Sequence, residues 1–217
     1  KQIIPVMLLE DGRAGEWHIE DPIEAALYMD KCHADGVLIR DMTTKDHHQE
    51  EKLIKLVKNI SGQADIPLYV NAAYTRFENV KKIIYAGAAK AVITYKKEED
   101  IYVIKEAADR FHDQVAVYLE DQIAESLELF GVLAELGIRY LFIERDVIKD
   151  FSTAMDFYDF DVMAVAAYSD EEDMRQALLR PRVSGAADQT LIPGGMDVMD
   201  LKAYMVGKGV KVNVFKS

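Results

Sequence analysis

The chain has 217 residues, half of them hydrophobic, and 38 acidic side chains against 26 Lys and Arg give a formal net charge of −12. That length supports one sizeable core without requiring two domains. The charge argues against nucleic acid and anionic membrane surfaces as partners, because both call for a dense basic patch and the pairs Lys81-Lys82 and Lys96-Lys97 stand among acids.

Short β-branched runs alternate along the chain with longer amphipathic segments. In order, the pattern predicts a strand over Ile3–Leu9 and a helix over Pro22–Ala34, then Gly36–Asp41 and Gln49–Ile60, Leu68–Asn71 and Phe77–Ala86, Ala91–Tyr95 and Glu99–Phe111. The second half continues with Val115–Glu120 and Ile123–Leu136, Tyr140–Glu144 and Ser152–Tyr158, Val162–Ala167 and Asp170–Leu179, Asp188–Ile192 and Val198–Lys208. Pro22 after Asp21 is start chemistry for a helix, and the acids 170–173 load another where the macrodipole favours them. Gly87 and Gly137 stand where a helix must end in a left-handed residue. Eight strands in strict alternation with eight helices describe an α/β fold of the (βα)8 TIM-barrel type, trimmed to the lower end of the roughly 200–250 residues such barrels use. An open doubly wound sheet would need a glycine-rich phosphate turn after its first strand, and Glu10-Asp11-Gly12-Arg13-Ala14-Gly15 has the wrong spacing and adjacent acids.

An internal echo supports the barrel. Val70-Asn71-Ala72-Ala73-Tyr74-Thr75 recurs 94 residues later as Ala164-Val165-Ala166-Ala167-Tyr168-Ser169. Arg40-Asp41 is echoed by Arg145-Asp146, and Leu9-Glu10-Asp11 by Leu119-Glu120-Asp121. Two duplicated half-barrels would read this way.

Ile3-Ile4-Pro5 followed by Glu10-Asp11-Gly12-Arg13 resembles the opening strand and loop of the histidine-biosynthesis barrels, of the ribulose-phosphate-binding type. These are the cyclase subunit of imidazole glycerol phosphate synthase and the phosphoribosylformimino-aminoimidazole carboxamide ribotide isomerase. Ala34-Asp35-Gly36-Val37 through Asp41-Met42-Thr43, Ile66-Pro67-Leu68, Tyr85-Ala86-Gly87-Ala88-Ala89-Lys90 and Glu144-Arg145-Asp146 carry the likeness onward. It is densest over residues 1–95 and architectural beyond 146.

The resemblance implies two catalytic aspartates, near the ends of strands one and five. Leu8 stands at the first position and Glu120 at the second. Leucine can neither give nor take a proton, and the longer glutamate moves its carboxylate by about 1 Å, a displacement that can be costly. The family's Gly-Gly phosphate cradles are matched by Ala72-Ala73 and Ala166-Ala167, each followed by a tyrosine, Tyr74 or Tyr168, that could crowd the site. Alanine resists positive φ and fills space an oxygen would take. Val147 replaces a glycine after Arg145-Asp146, and Glu16 lies near the place of an expected basic residue.

A closer resemblance is to a barrel-like segment that precedes a two-function enzyme, phosphoribosyl-AMP cyclohydrolase joined to phosphoribosyl-ATP pyrophosphohydrolase. On that reading residues 1–208 are one barrel, and residues 209–217, with the strand-like Gly209–Phe215, are a connector into a further domain. The chain is then a degenerate barrel serving as a scaffold or interaction domain for that enzyme, or associating with itself. Two alternatives stay open. One is an active isomerase or cyclase with a rearranged acid/base pair, Glu10 or Asp11 working with Glu120. The other is a sensor that binds a phosphoribosyl small molecule without turnover.

Barrel chemistry gathers at the C-terminal ends of strands. Catalytic candidates there are Glu120 and Asp11; substrate-binding candidates are Asp41, Thr43, Thr94 and Asp146, beside Ala72, Ala73, Ala166 and Ala167. The acids also read as solvated rim residues or partners of Arg40 and Arg145. Adjacent His47-His48 without a ligand-spaced companion gives no metal site, and no cofactor is expected. The lone Cys32 permits no internal disulfide and, with no secretory signal and no apolar run of about 18 residues, suits a cytoplasmic protein. Trp17 in the first loop could cover the mouth, and Met155, Met163, Met196, Met199 and Met205 read as packing or an interdomain face.

Overall fold

The computed structural model describes residues 1–10, 13–14, 19–42, 47–120, 126–148, 152–191 and 196–214, the side chains of 47–49, 126 and 152–154 excepted. Nine strands are described: β1 (Gln2–Glu10), β2 (Arg13–Ala14), β3 (Val37–Asp41), β4 (Leu68–Ala72), β5 (Lys90–Thr94), β6 (Val115–Leu119), β7 (Tyr140–Glu144), β8 (Asp161–Ala166) and β9 (Val183–Asp188). Eight of them pair in parallel in chain order, and β1 also pairs with β9, so the sheet closes into a barrel. The short β2 lies antiparallel on the end of β1, a hairpin partner the alternating pattern does not announce. Around the barrel run α1 (Pro22–Lys31), α2 (His47–Ser61), α3 (Phe77–Tyr85), α4 (Asp100–Phe111), α5 (Ser126–Glu135), α6 (Ser152–Phe157), α7 (Glu171–Leu178) and α8 (Val198–Gly207). Among the described residues no helix is long and apolar enough to cross a membrane.

Both faces of a parallel barrel are buried, so each strand divides its side chains between two apolar clusters. One cluster lies between strands and helices and includes Ile3, Met7, Ile39, Val70, Ile93 and Leu141. The other fills the interior with Ile4, Val6, Leu38, Tyr69, Val92, Ala116, Tyr118, Tyr140, Phe142, Met163, Val165 and Ala187. Four of these are aromatic. Tyr69 stacks on Tyr140 at 5.6 Å between ring centroids, and Tyr118 on Phe142 at 6.3 Å. At the N-terminal end Tyr140 donates to Gln2 Oε1, and the Lys90 ammonium sits 5.1 Å from the Tyr140 ring centre.

The eighth barrel strand corrects the sequence reading. It is Val183–Asp188, and the predicted Asp188–Ile192 overlaps it only at Asp188. Val183-Ser184-Gly185-Ala186-Ala187 has too little bulk to read as a strand, and the reason is close approach. A Cβ on Gly185 would lie 2.6 Å from Met163 Sδ and 2.7 Å from the Gln2 carbonyl oxygen. The same place carries a register irregularity between Val162 and Met163, and glycine in a strand often marks such a site.

Helix ends follow local chemistry. Asp21, Asp170 and Asp197 cap α1, α7 and α8 by accepting backbone amides. Gly87 and Gly137 have positive φ, as the stop signals require, but so do His33 (φ 56°) and His112 (φ 49°), which no sequence signal marks. At the N-terminal end of the barrel, the buried Lys202 of α8 reaches Asp35 Oδ2 at 3.1 Å and the His33 carbonyl at 2.6 Å, while Asp35 accepts the Ile3 amide. Val210 and Val212 pack on the core, and the Asn213 amide donates to the Lys1 carbonyl; residues 210–214 form no strand.

Candidate site at the C-terminal mouth of the barrel

The strand alternation that buries Val6, Leu38, Val92, Tyr118 and Phe142 inside the barrel aims the next inward positions at its C-terminal mouth. These are Leu8, Arg40, Asn71, Thr94, Glu120 and Glu144. Arg40 dominates the group. It starts on β3 and its guanidinium crosses to the opposite wall, where Nη2 meets Glu120 Oε1 at 2.7 Å and Nη1 lies 3.6 Å from Glu144 Oε1. Its Cζ stands 4.5 Å from the centre of the Tyr118 ring, a cation–π contact just below the carboxylates. The Tyr118 hydroxyl donates to Glu144 Oε1, and Lys96 Nζ holds the other oxygen of Glu120 at 3.1 Å. The Arg40 side chain is 9% exposed against about a quarter for each glutamate, and its Nε–H is buried without an acceptor among the described residues.

The electrostatics follow from this packing. Burial pushes the Glu144 carboxyl above its usual range, and the Tyr118 hydrogen bond and Arg40 only partly offset it. Burial also drives the Tyr118 phenol far upward, so it acts as a fixed donor. Beside this group Asn71 Nδ2 donates to the Val92 carbonyl and to Thr94 Oγ1, both at 2.9 Å.

The other predicted residues fall in different places. Asp41 ends β3 near the buried Tyr74 hydroxyl, whose ionisation its charge opposes. Asp146 is almost fully exposed, with its carboxylate 3.8 Å from Arg145 Nε. Glu10 is exposed. Asp11, Thr43, Glu16 and Trp17 lie outside the described residues. Arg40 was legible in the sequence only as a partner for acids. The parity of β3 is what points it inward, and its position opposite Leu8 on β1 was the available signal.

Both Ala-Ala sites end in a buried tyrosine. Ala72 and Ala166 are the last residues of β4 and β8, while Ala73 and Ala167 are exposed. Tyr74 OH donates to the Val70 carbonyl at 2.8 Å and Tyr168 OH to the Ala164 carbonyl at 2.9 Å, each reaching back four residues. Arg145 covers the Tyr168 ring at 5.2 Å and pairs with Asp173. Among the described residues no group of three or more His, Cys, Asp or Glu is arranged to hold a metal ion.

Strand register also tests the internal echo. Arg40 pairs with Asn71, and Glu144 pairs with Val165, the residue that matches Asn71 in the repeated string. Glu144 is therefore the counterpart of Arg40, and the Arg-Asp echo is one residue out of step. One strand earlier, Leu8 pairs with Arg40, while Leu119 pairs with Ile143 and so brings Glu120 beside Glu144. Leu8 and Glu120 thus hold equivalent places in the two halves, and the Leu-Glu-Asp echo is two residues out of step. The Ala-Ala-Tyr echo is in register.

A closed eight-stranded parallel barrel, with its polar inward residues gathered at one mouth, defines the chain as a (βα)8 barrel. Residues 2–140 match the histidine biosynthesis protein family, and the chain belongs to that family. It is 29% identical over 128 residues to imidazole glycerol phosphate synthase subunit HisF of an Exiguobacterium species, covering 56% of this chain and 50% of that protein. The same subunit of Halalkalibacterium halodurans is 30% identical over 145 residues, covering 63% and 57%. That of Wolinella succinogenes is 23% identical over an alignment of 250 positions that takes in nearly all of both chains. The chain thus spans about half the length of the first two relatives.

Proposed function

We propose that this histidine-biosynthesis barrel has lost its acid/base chemistry and works as a scaffold or interaction domain for a histidine-pathway enzyme. The partner suggested by resemblance is a phosphoribosyl-AMP cyclohydrolase/phosphoribosyl-ATP pyrophosphohydrolase in the cytoplasm, with residues 1–208 as the barrel and 209–217 as its connector. The observation that carries the reading is Arg40. The position equivalent to Glu120 in the other half is a leucine, and the carboxylate that remains is held by two cations, Arg40 and Lys96. A general base must be free to take a proton within hydrogen-bond reach of its substrate, and here both oxygens of Glu120 are engaged. Tyr74 and Tyr168, buried at both Ala-Ala sites, support the same reading.

The test is turnover and association measured on one preparation. Incubated with the ribotide substrates that the family resemblance implies, the purified chain should form no product, and Glu120→Gln should change nothing. It should co-sediment with the cyclohydrolase/pyrophosphohydrolase. Turnover that Glu120→Gln abolishes would sink the proposal. An active acid/base pair would join Glu120 to Glu144 and not to the Glu10 or Asp11 expected from the sequence, and its support is that Glu144 is a partly exposed carboxyl with a raised pKa beside Glu120; the same assay on Glu144→Gln decides it.

A further inference from the structure

The last helix, α8, is built inside out. It buries its one lysine, Lys202, and turns Met199 (48% exposed), Ala203 and Val206 (49% exposed) outward, with exposed Gly207 after them. Steps of four and three residues set these positions on one stripe of the helix. The outer faces of α2 and α4 follow the usual rule. The first exposes Glu51, Lys52, Lys55 and Lys58, and the second Lys105, Glu106, Asp109 and Arg110. Apolar side chains scattered singly over a surface need no partner. Here they are aligned, on a helix whose inner face is apolar as well, and a helix apolar all round is ordinarily covered on every side.

The stripe is complementary to itself. Let two α8 helices cross antiparallel at Ala203, as a twofold axis requires; residues equally far from that point then face one another. Met199 meets Gly207 of the second copy, where a Cβ added to the glycine would find nothing within 4 Å, so the thioether has open space to fill. Ala203 meets Ala203, and two methyls at the crossing let the backbones approach closely. Asp200 and Lys208, exposed near opposite ends of α8, come to one level, acid against base, and the twofold axis makes this contact twice. Among the described residues neither has an ion-pair partner in its own chain. Lys208 Nζ lies on that flank, 5.5 Å from the centre of the Tyr204 ring.

We propose that the outer face of α8 is a self-association surface that takes a second copy of this chain, antiparallel and crossing at Ala203. The occupant is a second copy because the face carries its own complement, an open space for each methionine and a base for each acid. This gives the self-association expected from the sequence a definite place, and it stands apart from the scaffold reading.

The test is sedimentation equilibrium of the whole chain from about 10 µM to about 1 mM, because one helix face from each copy is small beside the roughly 1,200–2,000 Å² of stable interfaces. The mass should rise with concentration from 24.5 kDa toward twice that value. Ala203→Asp, which sets two carboxylates against each other at the crossing, should stay monomeric while keeping the circular dichroism of wild type. Lys208→Glu should weaken association about tenfold, since both ion pairs turn repulsive, and the exchange Asp200→Lys with Lys208→Glu should restore it. Lys105→Glu on α4 makes the same charge change on another face and should alter nothing. If Ala203→Asp does not fold, the exchange decides alone. Wild type monomeric at every concentration, a dimer indifferent to Ala203→Asp, or an exchange that recovers nothing would each overturn the proposal. So would a monomer whose Ala203→Asp variant loses the cyclohydrolase/pyrophosphohydrolase, which would assign the face to that enzyme. A dimer with this pattern of variants that fails to bind the enzyme supports the surface and ends only the scaffold reading.

Discussion

Arg40 is one side chain that decides the character of the whole mouth. Taking a guanidinium out of water is expensive unless it is paired, and two carboxylates and an aromatic face provide the pairing. Its Nε–H has no acceptor among the described residues, a cost on the order of 1–3 kcal/mol for a buried donor. Glu144 carries a pH signature. Its pKa is raised above the unfolded value, mainly by burial, against the opposing pull of Tyr118 and Arg40 and with added repulsion from Glu120 and Asp146. The folded state therefore holds this proton more tightly than the unfolded chain does. The contribution to stability is fully present below the unfolded pKa and is lost as pH rises through the folded value. Gln mimics the protonated form, so Glu144→Gln should lack this dependence. Thermal melts of the two proteins across the acidic range should show wild type gaining on the variant as pH falls; parallel curves would refute the assignment.

At the scale of elements, the barrel depends on how closely β9 approaches its neighbours. Gly185 faces Met163 Sδ and the Gln2 carbonyl at distances no Cβ tolerates, and the Gln2 contact is backbone, which cannot swing aside. Gly185→Ala should destabilise the fold by about 1–3 kcal/mol through overpacking, read as a lower urea midpoint with an unchanged slope. A neutral result would mean β9 sits farther from β1 than described. The elements also show what was legible in the sequence. The seven earlier barrel strands and all eight helices lie where hydrophobic periodicity puts them, to within a few residues among the described positions, because apolar spacing is a local property. The eighth strand was misplaced because small residues answer to a neighbour's proximity, which local spacing does not encode. The three echoes looked alike as strings, yet only the Ala-Ala-Tyr one is in register, since strand pairing sets register. Leu8 and Glu120 were matched by resemblance, and their equivalence is now geometric. Arg40 and Glu144 were missed as a pair because one inward-facing residue of each strand meets the other only across the closed barrel.

For the molecule as a whole, closure is the central event. The β1–β9 pairing joins the two ends of the sheet, and the Lys202–Asp35 pair fastens the last helix to the loop between α1 and β3. Both side chains of that pair are more than nine-tenths buried. Lys202→Met would leave the Asp35 carboxylate without its cation, at a cost of about 3–5 kcal/mol, and Asp35→Asn in the same chain should recover part of the loss. Urea unfolding followed by far-UV circular dichroism checks both. A single variant as stable as wild type would show that the pair does not hold the closure.

The amino-acid sequence by itself determined the eightfold alternation, the helix starts at Asp21 and Asp170, the glycine stops and the family, because each is written in composition, spacing or a run of adjacent residues. Tertiary structure alone decided that Arg40 spans the mouth to Glu120 and Glu144, that Tyr74 and Tyr168 bond back to their own strands, and that the buried Asp188 accepts the amides of Tyr168 and Thr190. Those contacts join residues 80 or more positions apart in one case and separate loops in another. Only the closed barrel, which fixes the parity and height of every strand, brings them within bonding distance.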